Sequence, residues 1–227
     1  MTAPTVIVTG GTGGLGSAVT RAFLRDGWQV VVPWIAEREL ERVEEHERLT
    51  LVRADLFDPG DVAGVAEAAG PALRALVSLV GGFAEHGRIH ETPIETFEEQ
   101  FRLNLRPAYL CAAAAVPAML ESGGGAIVCV SSRAALRPFP GAAGYIVSKA
   151  AVLALVDALD AEYRKDGIRV NAILPSVIDT PANRASMPDA DFDTWVTPDE
   201  IARVIAFLCS DDASATSGAH VPVYGQA

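Results

Sequence analysis

Four side chains carry the clearest chemical pattern in the chain. Tyr145 and Lys149 lie four residues apart, so a helix starting near Ala143 places both on one face. Ser132 stands thirteen residues before Tyr145, and Asn104 lies further upstream in Phe101-Arg102-Leu103-Asn104-Leu105. A phenol, an ammonium and a hydroxyl together suit proton transfer at a carbonyl or alcohol oxygen. A tyrosine with an ordinary pKa of about 10 is a poor base at neutral pH. A neighbouring ammonium favours the phenolate, so Lys149 is expected to draw the Tyr145 pKa down. Ser132 would hold the reacting oxygen, and Asn104 would orient a water behind the lysine. Each residue alone has a plainer role: interfacial tyrosine, solvated lysine, turn serine, helix-capping asparagine. Their order and combination favour the catalytic set.

A second constellation lies near the N-terminus. The first apolar run ends in Thr9-Gly10-Gly11-Thr12-Gly13-Gly14-Leu15-Gly16, and a helical pattern follows at once. Glycines allow a tight turn and close approach of the backbone to a pyrophosphate, and the helix N-terminus offers unpaired N–H groups. Gly10, Thr12, Gly13, Gly14, Leu15 and Gly16 are therefore candidate cofactor contacts. There is no Lys-Ser/Thr pair of a P-loop, which excludes that kind of nucleotide hydrolase. An ordinary strand-to-helix turn is the competing reading of the loop. After the second apolar run a dinucleotide site needs a ribose selector, acidic for NAD(H) or basic for NADP(H). Trp34 occupies that place and is neither, while Glu37 and Arg38 follow with opposite charges, so the preference stays undecided. Asp55 and Leu56 are placed to meet the adenine, with helix capping as the alternative for this neighbourhood.

These side chains must be positioned by alternating elements. Short β-branched runs at 6–8, 30–32, 49–52, 76–80, 127–130, 168–174 and 221–223 read as strands. Most are continuously apolar, as parallel strands covered on both faces are. Helical patterns fall at 15–25, 36–47, 61–69, 94–103, 107–121, 143–164 and 198–209. The alternation predicts an α/β fold: a doubly wound parallel sheet flanked by helices, as one domain over 1–227. Residues 180–197 lack a regular pattern and read as a surface loop or a substrate lid. Phe83, Phe139, Met187 and Trp195 are candidates to line an apolar pocket for a flat ring, with core packing as the alternative. Arg133 could meet an anionic substrate or simply face solvent.

The motifs together resemble the short-chain dehydrogenase/reductase family over nearly the whole chain. The matching pieces are Thr9-Gly10-x3-Gly14-x-Gly16, Asp55-Leu56, Asn104, Ser132, Tyr145-x3-Lys149 and Arg169-Val170-Asn171-Ala172-Ile173-Leu174-Pro175. Pro198-Asp199-Glu200-Ile201-Ala202 and Ser217-Gly218 also match. The resemblance implies a Rossmann-type sheet, a Ser-Tyr-Lys-Asn catalytic set, NAD(H) or NADP(H), and assembly as a homodimer or homotetramer. It also places Lys149 on the nicotinamide ribose, puts Ile178 and Thr180 at the carboxamide, and counts Gly81, Gly82 and Pro175 among cofactor-binding residues. The family often has Asn-Asn-Ala-Gly after the fourth strand, whereas this chain has Ser78-Leu79-Val80-Gly81, losing side chains expected to brace the sheet. Pro-Gly after the sixth strand becomes Pro175-Ser176, and the usual C-terminal Asp-Gly-Gly becomes Val223-Tyr224-Gly225-Gln226. The stretches 179–195 and 80–83 resemble dihydropteridine reductases, which reduce a quinonoid pterin with NADH but typically lack a serine at the position of Ser132. The expected activity is hydride transfer between nicotinamide and a carbonyl or alcohol, with quinonoid dihydropterin reduction as the alternative.

Composition narrows the remaining classes. Among 227 residues, 18 basic and 29 acidic side chains give a formal net charge of −11, unsuited to nucleic acid or an anionic membrane as a general partner. No secretory leader pattern opens the chain, and the longest apolar run, 111–120, is too short to span a bilayer, so a cytoplasmic protein is expected. Cys111, Cys129 and Cys209 are far apart in apolar segments and read as small buried hydrophobes. Gly87 lies between His86 and His90, so no metal is expected there. A dinucleotide-binding redox sensor would not need the proton-relay residues. An extended sugar-nucleotide enzyme would need more chain than the 78 residues after Lys149.

Overall fold

Seven apolar runs become seven parallel strands in a single sheet. The computed structural model describes residues 3–226, so Met1, Thr2 and Ala227 of the expected domain lie outside the described residues. The strands are β1 (Thr5–Thr9), β2 (Gln29–Trp34), β3 (Leu49–Arg53), β4 (Leu73–Ser78), β5 (Gly125–Val130), β6 (Ile168–Pro175) and β7 (His220–Val223). Their spatial order is β3-β2-β1-β4-β5-β6-β7. The chain winds outward from β1 to β3, then returns to β4 on the other side of β1. Ligands of open α/β sheets bind at such a reversal, outside the carboxyl ends of the strands. The register aligns those ends: Thr9 pairs with Ser78, Ser78 with Cys129, and Val130 with Ile173. The loops carrying the glycines, Gly81, Ser132 and Thr180 therefore open on one edge.

Alternate strand residues feed two cores. On one face Ile7, Val31, Leu76, Ile127, Val170 and Ala172 pack against α2 (Pro59–Ala69), α4 (Arg106–Glu121) and α5 (Ala143–Tyr163). On the other, Val6, Val8, Val30, Val77, Val128 and Ile173 pack against α1 (Gly16–Arg25) and α7 (Pro198–Cys209). The predicted architecture is thus the observed one. All three cysteines are buried free thiols, and burial pushes Cys129 up to about 12.

Local differences from expectation have local causes. The predicted helix at 36–47 is only a six-residue 3-10 turn, Glu37–Arg42, followed by extended chain at Val43. This charged stretch has too few apolar positions to bury a helical face, and a short helix without packing is marginal in water. Strand β4 ends at Ser78 because the Leu79 N–H turns to the Thr9 hydroxyl (3.1 Å). The helix α3 (Ile94–Asn104) is separated from α4 only by Leu105. By length and composition alone the stretch Ile94–Glu121 would suffice to cross a membrane, yet 44% of its apolar window is buried inside the protein. Residues 180–197 hold a short helix α6 (Pro181–Ser186), capped by Thr180, and a turn at Phe192–Thr194.

Candidate active site

The glycine loop and the segments after β2, β3 and β4 enclose a cleft of about 750 Å³. It gathers ten of the predicted cofactor residues: Gly10, Thr12, Gly13, Gly14, Leu15, Gly16, Trp34, Asp55, Leu56 and Gly81. Two glycines are dictated by packing. A Cβ on Gly16 would lie 1.9 Å from the Gly10 carbonyl oxygen, and one on Gly11 would lie 2.8 Å from Val32. Gly10 itself has φ +68°, a conformation in which a side chain is strained. Helix α1 starts without a side-chain cap, whereas α2 is capped by Asp58 and α7 by a reciprocal Thr197–Glu200 box. The N–H groups at the start of α1 thus meet the cleft without a side-chain acceptor, the arrangement a pyrophosphate fits. Asp58, not Asp55, caps α2; the Asp55 carboxylate accepts from the Phe57 N–H at 2.9 Å.

The remaining predicted cofactor residues border this cleft or lie outside its lining. Thr180 is packed against the glycine loop, its methyl 3.0 Å from where a Gly14 Cβ would stand. Ile178 forms a parallel bridge with Val196, and Pro175 ends β6 in the core. A Cβ on Gly81 would meet Asn104 Oδ1 at 2.6 Å and Lys149 Nζ at 2.9 Å, so Gly81 joins the cleft to the expected catalytic residues. The Gly82 N–H donates to Asn104 Oδ1 at 2.9 Å.

Asn104, Ser132, Tyr145 and Lys149 meet at the carboxyl ends of β4 and β5. Asn104 Nδ2 donates to Ser148 Oγ (3.1 Å) and lies 3.5 Å from Gln100 Oε1. Its side-chain amide therefore clamps the loop after β4 to α3 and α5. The Ser148 hydroxyl donates to the Tyr145 carbonyl (2.8 Å), and the Ser131 hydroxyl to the Lys149 carbonyl (2.8 Å), fixing the first turns of α5. Lys149 Nζ donates to the Val130 carbonyl at 3.1 Å. Burial pulls its pKa from 10.5 to about 8, opposed by the Cys129 thiol beside it. Tyr145 differs from expectation: burial raises its pKa, and the Ser132 hydroxyl facing the phenol works the other way. The ammonium bonds to Val130 instead of pulling the phenol down.

The substrate-side predictions divide. Phe83 stands edge-on to the Tyr145 ring at 5.0 Å, with Phe139 a further 6.3 Å from Phe83, and both are exposed. Trp195 is 8% exposed and packs edge-on to Phe192, so it belongs to the core. Met187 is exposed beyond α6. Arg133 lies over the Tyr224 ring at 5.6 Å, with Arg137 at 5.9 Å, so its guanidinium is neither simply solvated nor aimed at the phenol.

Sequence reasoning missed Ser148, Gln100 and Glu39. Ser148 was findable, since it lies one helical turn from Tyr145 and beside Lys149. Glu39 was hidden in a charged run, yet its carboxylate accepts a hydrogen bond from the Thr12 hydroxyl (3.2 Å). Two departures from the family pattern are compensated. Thr9 bonds the chain after β4, although Ser78 Oγ is left buried without a partner among the described residues. Ser176 donates to the Tyr224 carbonyl at 2.7 Å and ties β6 to the C-terminal segment.

Comparison with known proteins agrees with this architecture. The family described as Enoyl-(Acyl carrier protein) reductase matches residues 10–225. The 2-(R)-hydroxypropyl-CoM dehydrogenase of Xanthobacter autotrophicus is 34% identical, over 96% of this chain and 96% of the relative. The bovine dehydrogenase/reductase SDR family member 4 is 32% identical, over 96% and 85% respectively. A solved short-chain type dehydrogenase/reductase from Mycobacterium ulcerans superposes with a TM-score of 0.91 at 26% identity, covering 98% of this chain and 89% of that one. With its sheet, glycine loop and Tyr145–Lys149 pair, the chain belongs to the short-chain dehydrogenase/reductase family and is an oxidoreductase of NAD(P)(H).

Proposed function

We propose that the chain moves a hydride between nicotinamide and a carbonyl or alcohol carbon, with Tyr145 as general acid and base. The observation that carries this reading is the convergence of Tyr145, Ser132 and a buried Lys149 next to Gly81, the residue that also lines the cofactor cleft. The bound nicotinamide supplies the hydride in reduction and accepts it in oxidation. Gly10 to Gly16 and the start of α1 would hold the pyrophosphate, and Lys149 would bind the nicotinamide ribose. Ser132 donates a hydrogen bond to the substrate oxygen and fixes it beside the phenol. Tyr145 gives its proton to that oxygen as negative charge develops there, and takes it back in oxidation. A raised Tyr145 pKa keeps the phenol protonated at neutral pH, the form that reduction needs. The Ser132 hydroxyl facing the phenol limits the cost of the phenolate left behind.

The aromatic shelf of Phe83 and Phe139 beside Tyr145 favours a flat substrate, and a quinonoid dihydropterin is the second reading. A non-catalytic redox sensor is disfavoured, because a protein that only binds the cofactor has no use for a serine hydroxyl facing a tyrosine phenol. The groove lined by Phe57, Phe101, Leu105, Tyr109 and Leu155 leaves apolar side chains at the surface, and we read it as the face through which copies pair. Light scattering on a sizing column tests that assignment, with a monomeric mass contradicting it.

The decisive experiment follows oxidation of NADH and NADPH with a carbonyl panel and a quinonoid dihydropterin. Turnover that disappears in Tyr145→Phe, with cofactor binding retained, is expected. Turnover unaffected by Tyr145→Phe would remove the acid–base role.

A further inference from the structure

The end of the cleft near β2 is built from residues of unlike charge, and only one of them is tied to the glycine loop. Trp34 presents an uncharged ring where β2 ends. Five residues later, Glu39 turns back across the cleft and accepts the Thr12 hydroxyl hydrogen bond at 3.2 Å. Thr12 is 5% exposed, so this contact anchors the 3-10 turn to the loop expected to hold the phosphates. Glu39 Oε1 has no partner among the described residues and remains able to accept from a sugar hydroxyl. Asp55 adds a second carboxylate on the same wall, fixed by the Phe57 N–H.

Among the described residues, Arg38 is the one cation lining this cleft. It is exposed, and among the described residues it makes no ion pair. Successive side chains of a 3-10 turn diverge by about 120°. The direction of Glu39 is set toward the loop by Thr12, so Arg38 leaves the turn on a different side. Arg53, paired in register with Trp34, is exposed and outside the cleft lining. The wall therefore offers two acids against one base. A 2′-phosphate brings a charge of about −1.5 to −2 to such a wall, whereas a ribose brings hydroxyl donors.

We infer that Glu39, held by Thr12, selects the cofactor by accepting from the adenosine ribose and repelling a 2′-phosphate, so that the enzyme uses NAD(H) in preference to NADP(H). This rests on the reading that the cleft holds a nicotinamide dinucleotide. The charge comes from the turn after β2, while the residue ending the strand supplies only a surface for the base.

Titration of the full-length protein with NADH and with NADPH, read by nicotinamide fluorescence, tests it. NADH is expected to bind at least about tenfold more tightly than NADPH, a difference of the size that one added like-charge contact produces. Glu39→Gln, with its fold verified by circular dichroism, is expected to tighten NADPH binding by about tenfold while NADH changes only a few-fold. Thr12→Val, which releases the carboxylate, shifts the ratio the same way. Arg38→Ala is expected to leave the NADH preference in place. Equal or tighter binding of NADPH by the unaltered protein, or an unchanged ratio in Glu39→Gln, overturns the selection while leaving the dehydrogenase reading intact. Failure of both cofactors to bind overturns both.

Discussion

At the Tyr145 end of the cleft, Asn104 and Lys149 are 1% and 5% exposed, and each side chain bonds to protein partners on other elements. At the Trp34 end, Ile35 is 52% exposed, and among the described residues a single side-chain bond, Thr12 to Glu39, spans the gap. The first region is preorganised by redundant buried bonding, which would fix the proposed reacting groups before substrate arrives. The second rests on one clip from an exposed turn. Chemistry needs fixed geometry, whereas choosing between two cofactors needs only a charge in the right place. Each region can be broken separately.

The largest expected effect lies in the first. Tyr145→Phe removes the proposed proton donor and leaves the ring, so Phe83 keeps its edge-on partner. A fall in kcat of about 10²–10⁴-fold with little change in cofactor affinity is expected, as for loss of a general acid. Steady-state kinetics together with fluorescence titration reads both quantities. A parallel loss of affinity would mean that the phenol is a binding group.

Lys149 makes the same region costly to fold. Burial lowers its pKa to about 8, below its ordinary 10.5. The unfolded chain then binds the proton more tightly than the folded one, so the penalty is fully present below about pH 8. It is relieved as pH rises toward 10.5. The difference corresponds to about 3 kcal/mol at neutral pH. Lys149→Met is expected to lose activity yet unfold at higher denaturant concentration at pH 7, with the advantage shrinking above pH 8. Urea unfolding at several pH values measures this, and a destabilised Lys149→Met at pH 7 would show that the Val130 bond outweighs the desolvation.

Asn104→Ala tests how far the clamp holds the region together. It leaves the Gly82 N–H without its acceptor, while the Ser148 hydroxyl loses a donor but keeps the Tyr145 carbonyl, at a cost of about 1–3 kcal/mol. That lowers Tm by roughly 2–4 °C per kcal/mol for a chain of this size. Calorimetry on the variant reads the loss, and an unchanged Tm would mean that the loop after β4 is held by other contacts.

The two regions also differ in how far they can be read from residues alone. Tyr145, Lys149, Ser132 and Asn104 were legible because spacing on a helix and order along the chain carry their relation. The sheet was legible because Val30-Val31-Val32 and similar runs are apolar on both faces. The Tyr145 pKa direction was not, since it depends on burial that spacing does not reveal. The 36–47 stretch reads as a helix because it is rich in good helix formers, yet its charged side chains offer no apolar face to pack, and only the Glu37–Arg42 turn forms. Trp195 looked like a pocket residue but fills the core, since an aromatic in an irregular segment reads the same in either place. Glu39 was invisible because its meaning comes from Thr12, 27 residues away.

The smallest expected effect sharpens the contrast. If the Thr12–Glu39 bond serves selection, its loss should hardly touch stability. It joins a buried hydroxyl to a carboxylate that water can still reach; bonds to charged groups contribute about 1.5–3 kcal/mol, and solvent access keeps this one at the low end of that range. Glu39→Gln keeps the length and an acceptor oxygen, so the Thr12 hydroxyl need not be stranded. Its Tm should therefore fall by less than that of Asn104→Ala, even as its cofactor ratio changes. Paired melts of the two variants, each with and without NADH, give the comparison directly. A Glu39→Gln protein that melts as low as Asn104→Ala would make the clip a structural brace, whereas a near-native melt with an altered NADH response separates selecting the cofactor from holding the fold.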